Sequence, residues 1–321
     1  MKILVTGGAG FIGSNLVRAL AGDTRVSVVR VLDNLETGSL INLESLKENK
    51  KFEFIKGDIR DYTTCLEAGR GIDIISHQAA LGSVPRSVKD PLATHEVNAT
   101  GTLNIFNVAR ELKIKRVVYA ASSSTYGDHP GLPKVEDQIG SPISPYGVTK
   151  LVNELYAKVF AELYKLELIG LRYFNVYGPN QNPAGPYAAV IPLFIKAFLE
   201  AHAPIINGNG DTSRDFTFVE DVVQANLLAM FTENKNAVNE VYNIAKGEET
   251  SLNELFSLLK EISGENIQPI YGPERGGDIK HSLADISKAK KLLGYNPVTS
   301  PLQGLQKTYE WYNKNSLIFA T

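Results

Sequence analysis

The stretch KILVTGGAGFIGSNLVRALAG, residues 2–22, decides how the rest of the chain is read. Its opening "ILVT" is a short apolar run of strand type, and "SNLVRALAG" has the apolar spacing of a helix. Between them stand Gly7, Gly10 and Gly13, a Gly-x-x-Gly-x-x-Gly turn. Glycines there let the turn be tight and let the backbone approach a pyrophosphate at the helix N-terminus. A glycine triple alone is weak evidence. Here it follows a strand and opens a helix, and Asp33 closes the second strand about 20 residues further on. An aspartate there accepts hydrogen bonds from a ribose 2′-hydroxyl and repels a 2′-phosphate, so the expected cofactor is NAD rather than NADP. Asp58, after the third strand, is placed to reach the adenine end.

Outward from that turn the alternation continues. The segments "VRVLDN", "FEFIKGDI", "IDIISHQAA", "KRVVYAASS" and "ELIGLRYFNVYG" read as strands, and "ATGTLNIFNVAREL" and "SPYGVTKLVNELYAKVFAELYK" as helices. Near-continuous apolar strands between helices predict an α/β fold, with a doubly wound parallel sheet covered on both faces. Beyond about residue 178 the pattern loosens into loops such as "GPNQNPAGPYAAVIP", "NGNGDTSRDF" and "YGPERGGD". Helices intervene there, among them "SLNELFSLLKEI", with Ser251 as N-cap and Glu254 three residues later. A smaller mixed α/β C-terminal lobe is expected.

The composition narrows the class. The 321 residues are 43% hydrophobic and 21% charged, with a net charge of −2, which suggests neither nucleic acid nor an anionic membrane as partner. No apolar run approaches the roughly 18 residues of a membrane span. The single cysteine, Cys65, excludes an intrachain disulfide, and the N-terminus lacks the apolar core of a signal peptide, so a cytoplasmic location is expected. The five histidines are scattered, and no metal site is predicted.

The strand "VVYAASSSTYG" ends in hydroxyls, Ser122, Ser123 and Ser124, where the cofactor-bearing strands also end. Further on come Tyr146 and Lys150, one helical turn apart on the same face. A tyrosine is too weak an acid to serve as a base at neutral pH unless a neighbouring ammonium and a cationic nicotinamide ring favour its phenolate. A serine hydroxyl can share the proton of a substrate alcohol. Hydroxyl, phenol, ammonium and nicotinamide together suit reversible hydride transfer at a carbinol carbon. A second Tyr-x-x-x-Lys spacing, Tyr242 to Lys246, is taken as coincidence.

The glycine turn, Asp33, the serine strand and the Tyr-x-x-x-Lys helix resemble the extended short-chain dehydrogenase/reductases across essentially the whole chain. Within them, "YAASSSTYGDHPGLPKVED", "SPYGVTK", "LRYFNVYGPNQ", "SRDFTFVEDVVQAN" and "RGGDIKHSLADISKAKKLLGY" resemble UDP-hexose 4-epimerases. The resemblance implies a Rossmann-type NAD-binding domain over 1–177 and a nucleotide-sugar lobe over 178–321, interleaved with it. It implies Ser122, Tyr146 and Lys150 as catalytic residues. The cofactor contacts it implies are Gly7, Gly10, Phe11, Ile12, Gly13, Asp33, Asn34, Asp58, Ile59, Gln78, Ala79, Ala80, Asn98, Tyr146, Lys150 and Tyr173. On the substrate side it implies Gly82, Ser83, Ser122, Ser124, Asn175, Arg214, Arg275, Asp278 and Ser282, with Arg86 supporting the loop at Gly82–Ser83.

Related dehydratases place an Asp-Glu pair directly after the catalytic hydroxyl; Ser123 and Ser124 cannot play that part. The activity so implied is C4 epimerisation of a UDP-sugar through a 4-keto intermediate, with tightly held NAD. Where such enzymes have a tyrosine that limits the pocket to plain hexoses, this chain has Ser282. The "QAALGSVPRS" segment also departs from the galactose type. Both departures resemble the subgroup acting on UDP-GlcNAc and UDP-GalNAc, with UDP-Glc and UDP-Gal as further substrates. A UDP-hexuronate 4-epimerase and a non-catalytic NAD-binding module are the alternatives. The helices "LNIFNVAREL" and "NELYAKVFAELY" could build a homodimer or face their own sheet.

Overall fold

The computed structural model describes residues 1–183, 188–274 and 280–315. Arg275 and Asp278 lie outside the described residues. The first half alternates as the pattern predicts: β1 (Lys2–Thr6), α1 (Phe11–Gly22), β2 (Val28–Asp33), β3 (Phe52–Lys56), α2 (Tyr62–Gly69) and β4 (Ile74–His77). Two short helices, α3 (Val84–Lys89) and α4 (Pro91–His95), lead into a π-helical turn at Glu96–Thr100 and then α5 (Gly101–Glu111). β5 (Arg116–Ser122), the long α6 (Pro145–Tyr164) and β6 (Glu167–Tyr173) follow.

The expected strand over 167–178 is broken. β6 ends at Tyr173, Asn175 adopts a φ of +35°, and β7 (Val176–Tyr177) leaves the main sheet. It pairs instead with β10 (Thr217–Phe218), reached after α7 (Val190–Leu199), β8 (Ile205–Asn207) and β9 (Ser213–Arg214). Then come α8 (Val219–Phe231), β11 (Val241–Ile244), β12 (Thr250–Ser251), α9 (Leu252–Ser263), β13 (Ile270–Gly272), α10 (Ser287–Leu293) and α11 (Pro301–Lys314). Ser251 and Glu254 cap α9 reciprocally.

The main sheet has seven parallel strands in the order β11-β6-β5-β4-β1-β2-β3. Its last strand and the helix α8 come from beyond residue 178. Alternate residues of one strand serve opposite faces: Ile3 and Val5 of β1 pack with Leu16 and Val17 of α1 and Val222 of α8. Leu4 packs instead with Phe106 of α5 and Phe160 of α6. This is why the strands read as unbroken apolar runs. A third apolar cluster, around Phe194, Phe198, Phe218, Leu255 and Tyr312, forms the core of the smaller lobe. The strand order reverses between β1 and β4, and the crevice outside their carboxyl ends is where ligands of open α/β sheets bind.

Candidate active site

A cleft of about 540 Å³ opens at that reversal point. Its floor is the glycine turn. Gly7 has a φ of +69°, and a Cβ there would stand 2.6 Å from the Ala79 backbone. A Cβ on Gly13 would run into the Gly7 carbonyl oxygen. The N-cap of α1 is Gly10, which brings no side chain to the end of the helix, so the first amides of α1 remain for a ligand at the cleft. A bulky group fits this turn only because all three positions are bare, which is the requirement of a dinucleotide pyrophosphate.

Asp33 is 8% exposed at the cleft wall. Its Oδ2 accepts from the Ala9 N–H at 2.9 Å and its Oδ1 from the Leu35 N–H at 2.8 Å, so the carboxylate is fixed before any ribose arrives. Asp58 accepts from Arg60 and Asn34, and the Arg60 guanidinium holds its carboxyl down at about 2. Phe11, Ile12, Asn34, Ile59, Ala79 and Ala80 also line the cleft. So do Gln78 and Tyr173, whose hydroxyl donates to Gln78 Oε1 at 3.0 Å and accepts from Asn226 Nδ2 at 2.8 Å. Asn98 lies behind the wall. Its side chain bonds both the N–H and the carbonyl of Leu81 and so positions the start of the Gly82–Ser83 loop.

Ser122, Tyr146 and Lys150 face this cleft together. Ser122 ends β5, and its Oγ accepts from the Ser124 N–H at 3.1 Å, turning the chain into a short 3-10 segment. Ser144 caps α6 and Pro145 starts it, which puts Tyr146 in the first turn, where it lines the cleft. Lys150 is 3% exposed, and its Nζ donates to the Ala120 carbonyl at 2.8 Å. Burial pushes the Tyr146 phenol up, and the Ser122 hydroxyl beside it works in the other direction. Burial pulls Lys150 down to about 8, against the attraction of Glu154.

The second pair, Tyr242 and Lys246, is built differently. Tyr242 is a fully buried residue of β11 whose hydroxyl donates to the Ala237 carbonyl, while Lys246 reaches the Pro297 carbonyl. Lys246 lies beyond the end of β11 and the two side chains go to different carbonyls, so this spacing does not make a pair.

Gly82, Ser83, Ser124 and Asn175 line the same cleft. Ser83 has a φ of +92°, and its side chain accepts from the Arg86 N–H at the start of α3. Arg214 lies elsewhere, in a second cavity of about 710 Å³ bounded by Val190, Leu193, Asn207 and His281. Asn175 links the two spaces: its Nδ2 donates to the carbonyl of Asp215, next to Arg214. The Asp215 carboxylate accepts from the N–H groups of Lys246, Gly247 and Ala284, which clasps β9 and β10 to the 280–285 segment. Ser282 is partly buried in that segment, between His281 and Leu283, and lines neither cavity. Asn207 and His281 were not singled out from sequence. No short-range spacing marks them, because they meet only when β8, β9 and residues 280–281 come together.

A family model described as the NAD dependent epimerase/dehydratase family matches residues 3–245. The chain belongs to that family. It is 40% identical over 316 residues to a protein of Methanocaldococcus jannaschii called a putative UDP-glucose 4-epimerase, covering 98% of this chain and 99% of the other. Among solved structures, it resembles UDP-glucose 4-epimerase from Thermotoga maritima with UDP-glucose, at 38% identity and a TM-score of 0.91, over 98% of this chain and 100% of the other. It also resembles UDP-N-acetylglucosamine 4-epimerase from Methanobrevibacter ruminantium in complex with UDP-N-acetylmuramic acid, at 38% identity and a TM-score of 0.92, over 98% of each chain. The family's NAD matches the bare glycine turn and the fixed Asp33 carboxylate. Among the described residues no helix is long and apolar enough to cross a membrane.

Proposed function

We propose that this epimerase/dehydratase relative interconverts the C4 epimers of a UDP-sugar, with UDP-GlcNAc and UDP-GalNAc as preferred substrates. The observation that carries the reading is the meeting of Ser122, Tyr146 and Lys150 beside the glycine turn, with Ser123 and Ser124 where a dehydratase needs carboxylates. When bound, NAD supplies reversible removal and return of hydrogen at C4 of the sugar. Tyr146 takes the proton of the C4 hydroxyl through its phenolate oxygen. Ser122 shares that proton between sugar and phenol. Lys150, as ammonium, favours the phenolate. The same groups return the proton after the 4-keto sugar has turned its other face to the site.

The second cavity suits the nucleotide. Arg214, whose Nη1 donates to the Ser213 and Lys280 carbonyls, brings the positive charge of a guanidinium to this cavity for a diphosphate, and Val190 and Leu193 offer apolar surface for a base. The hydrogen bond from Asn175, which lines the cleft, to the carbonyl of Asp215 supports this reading. Arg275 and Asp278 are assigned to the same clamp by resemblance. The N-acetyl preference rests on the resemblance at Ser282 and at the Gly82–Ser83 loop, of which the loop residues line the cleft and Ser282 does not.

A homodimer through α6 completes the reading. The apolar positions of α5, Ile105, Phe106, Val108 and Ala109, are buried against their own sheet. α6 leaves Val148, Leu155, Val159 and Leu163 exposed in one stripe, which a second copy would cover.

The test is a panel of UDP-Glc, UDP-Gal, UDP-GlcNAc, UDP-GalNAc and UDP-GlcA with no added NAD, read by NMR of the C4 configuration. Inversion of the acetylated pair fastest is the expected result. Inversion of UDP-GlcA alone would replace the hexosamine reading by a hexuronate one, and inversion of none would remove the epimerase reading.

A further inference from the structure

Beneath Lys150 lies a buried ion pair that has no part in the reaction as proposed. Glu154 follows Lys150 by four residues on α6, so the two side chains share one face of the helix. Arg172, on β6, grips the Glu154 carboxylate with both prongs of its guanidinium. Its Nε donates to Oε1 at 2.9 Å and its Nη2 to Oε2 at 2.7 Å. The third donor, Nη1, goes to the Glu136 carbonyl at 2.9 Å, and the guanidinium carbon stands 4.8 Å from the centre of the Tyr126 ring. The two side chains are 4% and 8% exposed. An arginine held at this many points fixes its carboxylate in one place.

We propose that Glu154 is a positioning residue that keeps the Lys150 ammonium charged, with Arg172 locking the carboxylate beneath it. Its effect on turnover rests on the epimerase reading; its electrostatics do not.

The groups around Lys150 leave Glu154 as the source of the counter-charge. Tyr146, on the same helix, and Tyr119 and Tyr173, from β5 and β6, have phenols that burial pushes up, so none supplies a negative charge unaided. His77, from β4, is kept neutral by burial and by Lys150 itself, which hold it at about 3. It lies between two threonines, with Nδ1 2.7 Å from Thr6 Oγ1 and Nε2 2.9 Å from Thr102 Oγ1. On the helices packed over α6, Lys89, His95 and Glu96 are exposed and Arg86 is half-buried. Arg172 is cationic and acts against the ammonium, but its charge is engaged by Glu154.

Burial lowers Lys150 and Glu154 raises it. For Tyr146 and Lys150 together, the same proton count describes phenolate with ammonium or phenol with amine. Removing the Glu154 charge moves that balance toward phenol and amine, the form without a base.

The experiment uses the NAD-loaded enzyme labelled with lysine carrying ¹³C at Cε. The Lys150 signal is identified by its loss in Lys150→Arg. In Glu154→Gln, which keeps an acceptor for Arg172 but no charge, the Lys150 titration midpoint is expected to fall by about one pH unit. On the epimerase reading, kcat at neutral pH falls about 10-fold, with KM changed less than kcat, and Glu154→Asp restores both midpoint and kcat toward the native values. Should Glu154→Gln not fold, Glu154→Gln with Arg172→Met removes both partners of the buried pair and is titrated in the same way, with a smaller fall expected. An unchanged Lys150 midpoint in the folded variant would overturn the proposal. A lowered midpoint in a protein that inverts no UDP-sugar would leave the proposal standing and remove the epimerase reading.

Discussion

The Nζ of Lys150 lies 5.8 Å from the centre of the Tyr146 ring and reaches away from it, 2.8 Å to the carbonyl of Ala120 at the end of β5. The ammonium is thus anchored to the sheet, and its proposed effect on the phenol is one through space. Tyr146→Phe keeps the ring and its packing but removes the proton acceptor. A loss of at least about 100-fold in kcat is expected, the scale of a general base. Tyr242→Phe removes only a buried hydrogen bond to the Ala237 carbonyl. It should cost about 1 kcal/mol of stability and little turnover. Comparable losses of kcat from the two changes would contradict the assignment.

Lys150 separates activity from stability as pH rises. Its folded value of about 8 lies below the ordinary 10.5, so between those values the unfolded chain binds more protons than the folded one. Stability from this group therefore rises with pH across that window, and the cost of burying the ammonium is felt in full below it. On the proposed role of Lys150, turnover should run the other way, because the ammonium is lost as pH climbs through about 8. Rate and circular dichroism measured together from pH 7 to 9.5 should show kcat falling before the fold does. A rate that stays level to pH 9.5 would exclude a working role for the ammonium.

The glycine turn predicts retained cofactor. NAD, not NADP, should be released when the purified protein is denatured. Gly7→Ala places a Cβ 2.6 Å from the Ala79 backbone in a residue with a φ of +69°. The left-handed backbone alone costs about 1–2 kcal/mol, and the displaced turn should no longer hold the dinucleotide. The check is the NAD content of the purified variant beside its melting temperature. Full NAD content would place the cofactor elsewhere.

Ser282→Tyr tests the sugar. If the small side chain admits a 2-acetamido group, the phenol clashes with acetylated substrates and spares plain ones. The ratio of kcat/KM for UDP-GlcNAc over UDP-Glc should then collapse. Ser282 stands outside both cavity walls, and an unchanged ratio would remove the reason for an N-acetyl preference.

The stripe on α6 predicts association. Leu155 and Leu163 are 57% and 66% exposed. Leu155→Lys with Leu163→Lys should turn a dimer into a monomer by light scattering, with the far-ultraviolet spectrum unchanged. A native protein that is already monomeric at micromolar concentration would remove the dimer.

Much of this was legible in the sequence because it is local. Strand and helix periods record which faces are buried, so the doubly wound sheet could be read from alternation. The glycine turn followed from three bare positions between a strand and a helix, and Tyr146 and Lys150 from one turn of an amphipathic helix. What tertiary structure decided depends on contacts between distant segments. The run over 167–178 looks like one strand, but pairing with β10 draws Val176 and Tyr177 out of the sheet after Asn175. β11 joins the sheet edge beside β6 although about 70 residues separate them in the chain. Tyr242 and Lys246 match the spacing of Tyr146 and Lys150, yet a strand carries Tyr242 where a helix carries Tyr146. The second cavity, and the grip of Arg172 on Glu154 beneath Lys150, are made by side chains that no spacing connects. Local order follows from torsion preferences and side-chain period within a few residues; these meetings exist only once the strands have paired and the helices have closed over them.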